Sequence, residues 1–173
     1  RLNAFGYLYL PLLSNGALPD SGNAGMWDLV LALDWVRANA AAFGGDRKRV
    51  MVFGQSGGGA KIATLMAAPA AAGKFHAAAT MSGQQVTASG PLNATERAKA
   101  FLDALAIKRG DIKTLKAAPV EKLVEALSTP DAVDPSRGGI YFGPVLDERF
   151  LKRHPFWPDA PEQSAAIPMI LGN

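Results

Sequence analysis

The sequence predicts an α/β protein with a mostly parallel sheet, organised around one strand–turn–helix unit. Three observations predict it. In RVMVFGQSGGGAKI, residues 49–62, an apolar run from Val50 to Phe53 breaks at Gly54 and resumes as helix formers Ala60, Lys61, Ile62, Ala63, Leu65 and Met66. Ahead of it, Met26, Leu29, Val30, Leu33 and Val36 keep helical spacing. Behind it, short apolar runs at Ala77–Met81, Tyr141–Leu146 and Pro168–Leu171 read as further strands. Helical and strand patterns in alternation predict a parallel sheet crossed by helices.

Taken in order, Arg1 to Leu10 reads as the end of a strand running into a loop, and Ser14 to Asp20 is rich in turn residues. Asn23 is placed to cap the first long helix, which ends before Gly44-Gly45. Asp46 opens the turn into the next strand, and Asp28, Asp46 and Arg49 suit turns and ion pairs better than catalysis. Pro69 and Gly73 break the pattern after the helix formers that begin at Ala60, and Ser82 closes the strand at 77–81. Asn93-Ala-Thr-Glu96 resembles a capping box opening a helix to about Leu105; Asn93-Ala94-Thr95 also fits a glycosylation sequon. Short helices at 111–116 and 120–127 precede a Pro/Asp/Gly-rich loop, Ser128 to Gly139.

Composition narrows the function classes. A chain of 173 residues suits one globular domain with a sizeable core. No run approaches the roughly 18 apolar residues that a membrane span needs. A leader pattern is absent, but Arg1 is not an initiating methionine, so that carries no weight. With no cysteine there is no disulfide and no thiolate site, and the compartment stays open. The formal charge is only +3, and the basic residues at 47–49 and between 97 and 122 lack interleaved aromatics. They read as a solvated face, not a nucleic-acid surface. No metal motif occurs, and no metal or organic cofactor is implied.

The chemistry concentrates at Gly54-x-Ser56-x-Gly58, the spacing of a nucleophile elbow. Such a serine sits in a strained turn with its hydroxyl outward, and glycines on either side leave room for the turn. The following helix aims its N-terminal N–H groups at the same place, and the Gly57 N–H would be one oxyanion donor. Two other glycine-rich motifs fail. A phosphate-binding loop needs its lysine where Ala60 stands, and a dinucleotide fingerprint starting at Gly57 meets Ile62 at its last glycine. A tight structural turn with an incidental serine stays open on the pentapeptide alone. A serine hydrolase of this kind orders its triad Ser, acid, His. His76 leaves no room for an intervening acid; His154, with Asp147 or Asp134, satisfies the order but lies in a proline-flanked loop.

Longer stretches resemble the type B carboxylesterase family, the group of cholinesterases and bacterial p-nitrobenzyl esterases. They are Arg1 to Leu8, Gly22 to Asp28, Leu33 to Asn39, Phe43 to Asp46, the elbow, Gly73 to His76, Met81 to Gly83, Gly143 to Asp147 and Ile167 to Gly172. The resemblance implies a partial α/β-hydrolase fold, residues 1–173 forming a single incomplete domain with the elbow at its centre. It implies Ser56 as nucleophile, Gly57 as oxyanion donor, Gly54 and Gly58 as elbow glycines, and Ser82 as a hydrogen-bonding supporter. Gln55 stands beside the nucleophile where many members have glutamate, and Ile140, Tyr141 and Phe142 would line the acyl pocket. The family's glutamate follows the strand that Ile167 to Gly172 resembles, its histidine comes much later, and its glycine-rich loop lies before residue 1. The expected partners are therefore a small ester and flanking segments of the same domain, the 173 residues alone being inactive. A secreted or periplasmic location fits the family. An esterase-like binding module without activity, or an amidase or acyltransferase on the same elbow, stays open.

Overall fold

The computed structural model describes residues 1–173, which divide into two compact units. The first comprises Arg1–Gly25 and Ser89–Asp147; the second comprises Met26–Ala88 and Glu148–Asn173. Six α-helices are present: α1 (Asn3–Tyr7), α2 (Ala24–Asn39), α3 (Gly57–Ala67), α4 (Pro91–Ala104), α5 (Ile112–Ala117) and α6 (Val120–Glu125). Three strands accompany them, β1 (Met51–Gln55), β2 (Ala77–Met81) and β3 (Met169–Gly172). No helix is long and apolar enough to cross a membrane.

The second unit holds the sheet, in the order β1-β2-β3 with both pairings parallel. Met51 to Gln55 lie opposite Ala77 to Met81, and Ala78 to Met81 lie opposite Met169 to Gly172. Small side chains on the central strand, with Ala78, Ala79 and Thr80 all buried, let α3 lie close against β1 and β2. From Ile62 to Ala67 that helix is buried without interruption, so its alanines face protein where an amphipathic helix would face water. Its last turn is closed from outside: the Gln163 amide donates to the Met66 and Ala68 carbonyls at 2.9 and 3.0 Å. Those oxygens are among the four that a helix end leaves without partners. In α2, Met26, Val30 and Leu33 form the buried stripe that the spacing predicts, and Trp27 meets Phe150 edge-on at 5.0 Å.

In the first unit Leu8, Leu10, Ala98, Phe101, Leu102, Ile107, Ala126 and Ile140 form the core, each large member worth about 1.5–3 kcal/mol on burial. Beside it, the buried Asp131 carboxylate accepts from Arg97 Nε at 2.7 Å and from the N–H groups of Val133, Asp134 and Tyr141. Asp111 caps α5, accepting from the Thr114 N–H at 2.9 Å.

Four local expectations are corrected. Arg1 to Leu10 is not a strand end but the short helix α1 followed by an extended segment; Tyr7 to Leu10 are apolar because the fold surrounds them, not because they pair. Asn23 caps nothing. Its fully buried amide donates to the Val145 carbonyl at 2.8 Å and accepts the Val145 N–H at 3.0 Å, taking the place of a neighbouring strand. Tyr141 to Leu146 is correspondingly no strand, keeping a single bridge between Ser89 and Val145. Finally, α4 begins at Pro91, whose fixed φ suits the first helical position, so Asn93 lies inside the first turn and Glu96 pairs with Lys99 at 2.7 Å.

Candidate active site

Strand β1 delivers the chain to the elbow. The Ser56 N–H donates to the Met81 carbonyl at 2.8 Å, extending the ladder one step past Gln55. There the backbone turns sharply, with Ser56 at φ 51 and ψ −118, and the Ser56 carbonyl accepts the Ala60 N–H at 3.0 Å to start α3. A non-glycine residue at this φ costs about 1–3 kcal/mol and persists only where the surroundings impose it. Ser56 occupies the N-cap position, where a serine hydroxyl ordinarily accepts from the helix N–H groups. Here it makes no capping bond and the residue is exposed. The side chain is exposed and uncommitted to the helix.

Close backbone approach imposes the turn. A Cβ on Gly54 would lie 2.3 Å from the Gly58 carbonyl carbon and 2.7 Å from the Gly59 nitrogen. One on Gly59 would lie 3.0 Å from both the Gly54 oxygen and the Gly83 Cα. On Gly83 it would lie 2.1 Å from the Ser56 carbonyl oxygen and 2.9 Å from the Gly59 Cα. Gly54, Gly59 and Gly83 therefore interlock, and the last two escape the five-residue motif. Their only sequence signal is a third consecutive glycine and a glycine following a strand-end serine. Gly58 reverses the steric expectation: a Cβ there meets nothing within 4 Å. What the fold needs at 58 is a backbone that Gly54 can touch.

The strand ends gather the remaining residues. Ser82, at φ 50, follows β2 as Ser56 follows β1, and its N–H donates to the Gly172 carbonyl of β3 at 2.7 Å. The Ser56 and Ser82 backbones thus stand at adjacent carboxyl ends of a parallel sheet, where open α/β folds bind their ligands. Ser82 and Gln55 are both exposed. Gly57 and Gly58, in the first turn of α3, are exposed too, leaving their N–H groups accessible. One turn on, burial lowers the Lys61 ammonium below its ordinary pKa.

Both histidines are tied elsewhere. His76 Nδ1 accepts the Val50 N–H at 3.3 Å, and His154 Nδ1 accepts the Ala88 N–H at 3.2 Å while its ring stands edge-on to Trp157. No hydrogen bond joins either ring to Ser56. Asp134 is engaged within its own loop by Ser136 and Arg137. In the first unit, Ile140 is a core residue, Phe142 packs edge-on against Phe101 at 5.6 Å, and the Tyr141 ring lies beneath the Arg97 and Arg137 guanidinium groups.

A parallel sheet whose first strand turns through a strained, exposed serine into a glycine-opened helix defines an α/β-hydrolase segment with a nucleophile elbow. The sequence model of the carboxylesterase family matches residues 1–173. The chain is 36% identical over 174 residues to the para-nitrobenzyl esterase of Bacillus subtilis, covering 100% of this chain and 35% of that protein. A Geobacillus stearothermophilus carboxylesterase superposes with a TM-score of 0.85 at 34% identity, over 99% of this chain and 35% of that one. An esterase from Clostridium hathewayi described as hydrolysing aliphatic aromatic polyesters superposes at 0.78 with 35% identity, over 99% of this chain and 34% of its own. The chain belongs to the carboxylesterase family. It spans about a third of the length of these relatives.

Proposed function

We propose that this chain is the nucleophile-bearing part of a serine carboxylesterase, with Ser56 forming the acyl-enzyme. The observation that carries this reading is the exposed Ser56 side chain, left out of helix capping on a backbone strained at φ 51. Ser56 Oγ attacks the ester carbonyl carbon and gives its proton to a base. The negative charge that builds on the carbonyl oxygen is met by the Gly57 N–H and the positive end of α3. Collapse breaks the carbon–oxygen bond and releases the alcohol, and water then cleaves the acyl-serine to the carboxylic acid. Ser82 supports the constellation from the end of β2, and Gln55 leaves the nucleophile without a flanking carboxylate, which suits neutral esters. The base comes from a part of the domain outside these residues, since neither histidine here is bonded to Ser56, and the family resemblance places the acid and the glycine-rich loop outside them as well. A secreted or periplasmic location is the one the family resemblance favours; activity confined to the cytoplasmic fraction of fractionated cells would reject it.

The test is pre-steady-state hydrolysis of a p-nitrophenyl ester by the full-length protein. A burst of p-nitrophenol is expected, absent from Ser56→Ala, with steady turnover lowered by at least about a thousand-fold. An alanine variant with near-normal turnover would reject Ser56 as the nucleophile, and absence of turnover in the wild-type protein would reject the esterase reading in favour of a binding role.

A further inference from the structure

The first unit holds a groove of about 800 Å³ between the end of α4 and the α5–α6 pair, a volume ordinary for a small-molecule site. Its floor is the core itself: Ile107 and Ala126 are buried members of that core, and Leu105 and Ala118 pack against it. The space stays open because the side chains around it are short. α4 ends on Ala104, the chain turns through Ala106 at φ 53, and α5 ends on Ala117. The charged groups at the rim are not equivalent. Asp111 accepts from the Thr114 N–H and hydroxyl at 2.9 and 2.6 Å, and Glu125 is paired with Lys122 at 3.0 Å. Lys113 is exposed and makes no hydrogen bond or ion pair. The Thr114 bonds chiefly hold the Asp111 carboxyl below its ordinary pKa, and the Lys113 charge adds to them from a distance. A cationic ligand would find both carboxylates engaged, whereas an anionic one finds the Lys113 ammonium open.

We propose that this groove binds a free single-chain aliphatic carboxylate, its tail on the floor of Leu105, Ile107, Ala118 and Ala126 and its carboxylate against Lys113. The site does not rest on Ser56 being the nucleophile. The lysine stem can lie along the apolar wall while its ammonium stays at the wet rim, which is where the head of such a ligand would sit. Covering the tail removes apolar surface from water and supplies most of the affinity. The exposed ion pair adds only a few-fold and weakens with salt, so it selects the end group more than it sets the strength of binding.

The experiment irradiates the full-length protein with a dodecanoic acid that carries a diazirine on its chain, below its micellar concentration and at low salt, and locates the adduct by peptide mass. Label is expected within residues 104–129. Dodecanoate should displace it at about three-fold lower concentration than dodecanol; Lys113→Met should remove that difference and Lys113→Arg should keep it. Label confined to other residues overturns the proposal, as it would if another segment of the full-length chain or a second copy already filled the groove. Equal displacement by the alcohol overturns it too. So does a carboxylate preference that survives in Lys113→Met or is lost in Lys113→Arg.

Discussion

At the scale of single residues, the elbow is decided by where a Cβ fits. Gly54, Gly59 and Gly83 touch backbone on three sides of Ser56, whereas Gly58 faces open space. Two glycine substitutions in one small site should therefore act in opposite directions. Gly83→Ala forces a methyl onto the Ser56 carbonyl oxygen and should cost about 3 kcal/mol or more, because overpacking against backbone has no rotamer escape. Gly58→Ala should be neutral or stabilise by up to about 1 kcal/mol through helix propensity. Urea unfolding of the two variants decides it; a tolerated Gly83→Ala, or a Gly58→Ala as damaging as Gly54→Ala, would contradict this geometry. The turn at Ser56 was legible because GxSxG encodes it within five residues. Gly83 was not, because its neighbour lies 27 positions away and only the β1–β2 register brings them together.

At the scale of elements, the first unit depends on the buried Arg97–Asp131 pair. Burial pushes the Asp131 carboxyl up, and the hydrogen bonds from the Tyr141 N–H, Arg97 and the Asp134 and Val133 N–H groups outweigh it, holding the pKa at about 2. Because the folded pKa is depressed below the ordinary 3.8, the stabilisation is fully present above pH 4 and is lost as pH falls through about 2. It amounts to about 2 kcal/mol. Asp131→Asn leaves Arg97 buried without its counter-charge and should cost about 3 kcal/mol, flattening the acid limb of the stability profile. A variant with unchanged urea midpoint and unchanged acid limb would refute the pair's role. The same segment bears Ile140, Tyr141 and Phe142, which we propose as acyl-pocket residues by resemblance. Exchanging Ile140 and Tyr141 for smaller residues should shift the preference between short and long acyl esters; an unchanged preference leaves them as core and ring-stacking residues only. Asn23 shows what pattern reading cannot see. A capping residue and a side chain that brackets Val145 have the same letter and the same neighbours, and only tertiary contact separates them.

At the scale of the whole chain, the strand–elbow–helix and the next parallel strand were legible because β1, α3 and β2 are consecutive and each carries its own period. The ends of the elements were less so, as at Tyr7 to Leu10, where burial on all sides imitates a strand. The two histidines illustrate the limit most sharply, since chain order admitted His154 as a base and the structure holds it on the Ala88 N–H. Residues 1–173 match the carboxylesterase family throughout and span about a third of the length of the Bacillus and Geobacillus esterases. The most direct measurement treats the full-length protein with a fluorophosphonate and locates the adduct by peptide mass. A single phosphonylated residue, Ser56, is expected, with ester hydrolysis lost in proportion to its occupancy. An adduct on Ser82 or elsewhere, or full hydrolysis with Ser56 completely modified, would contradict it.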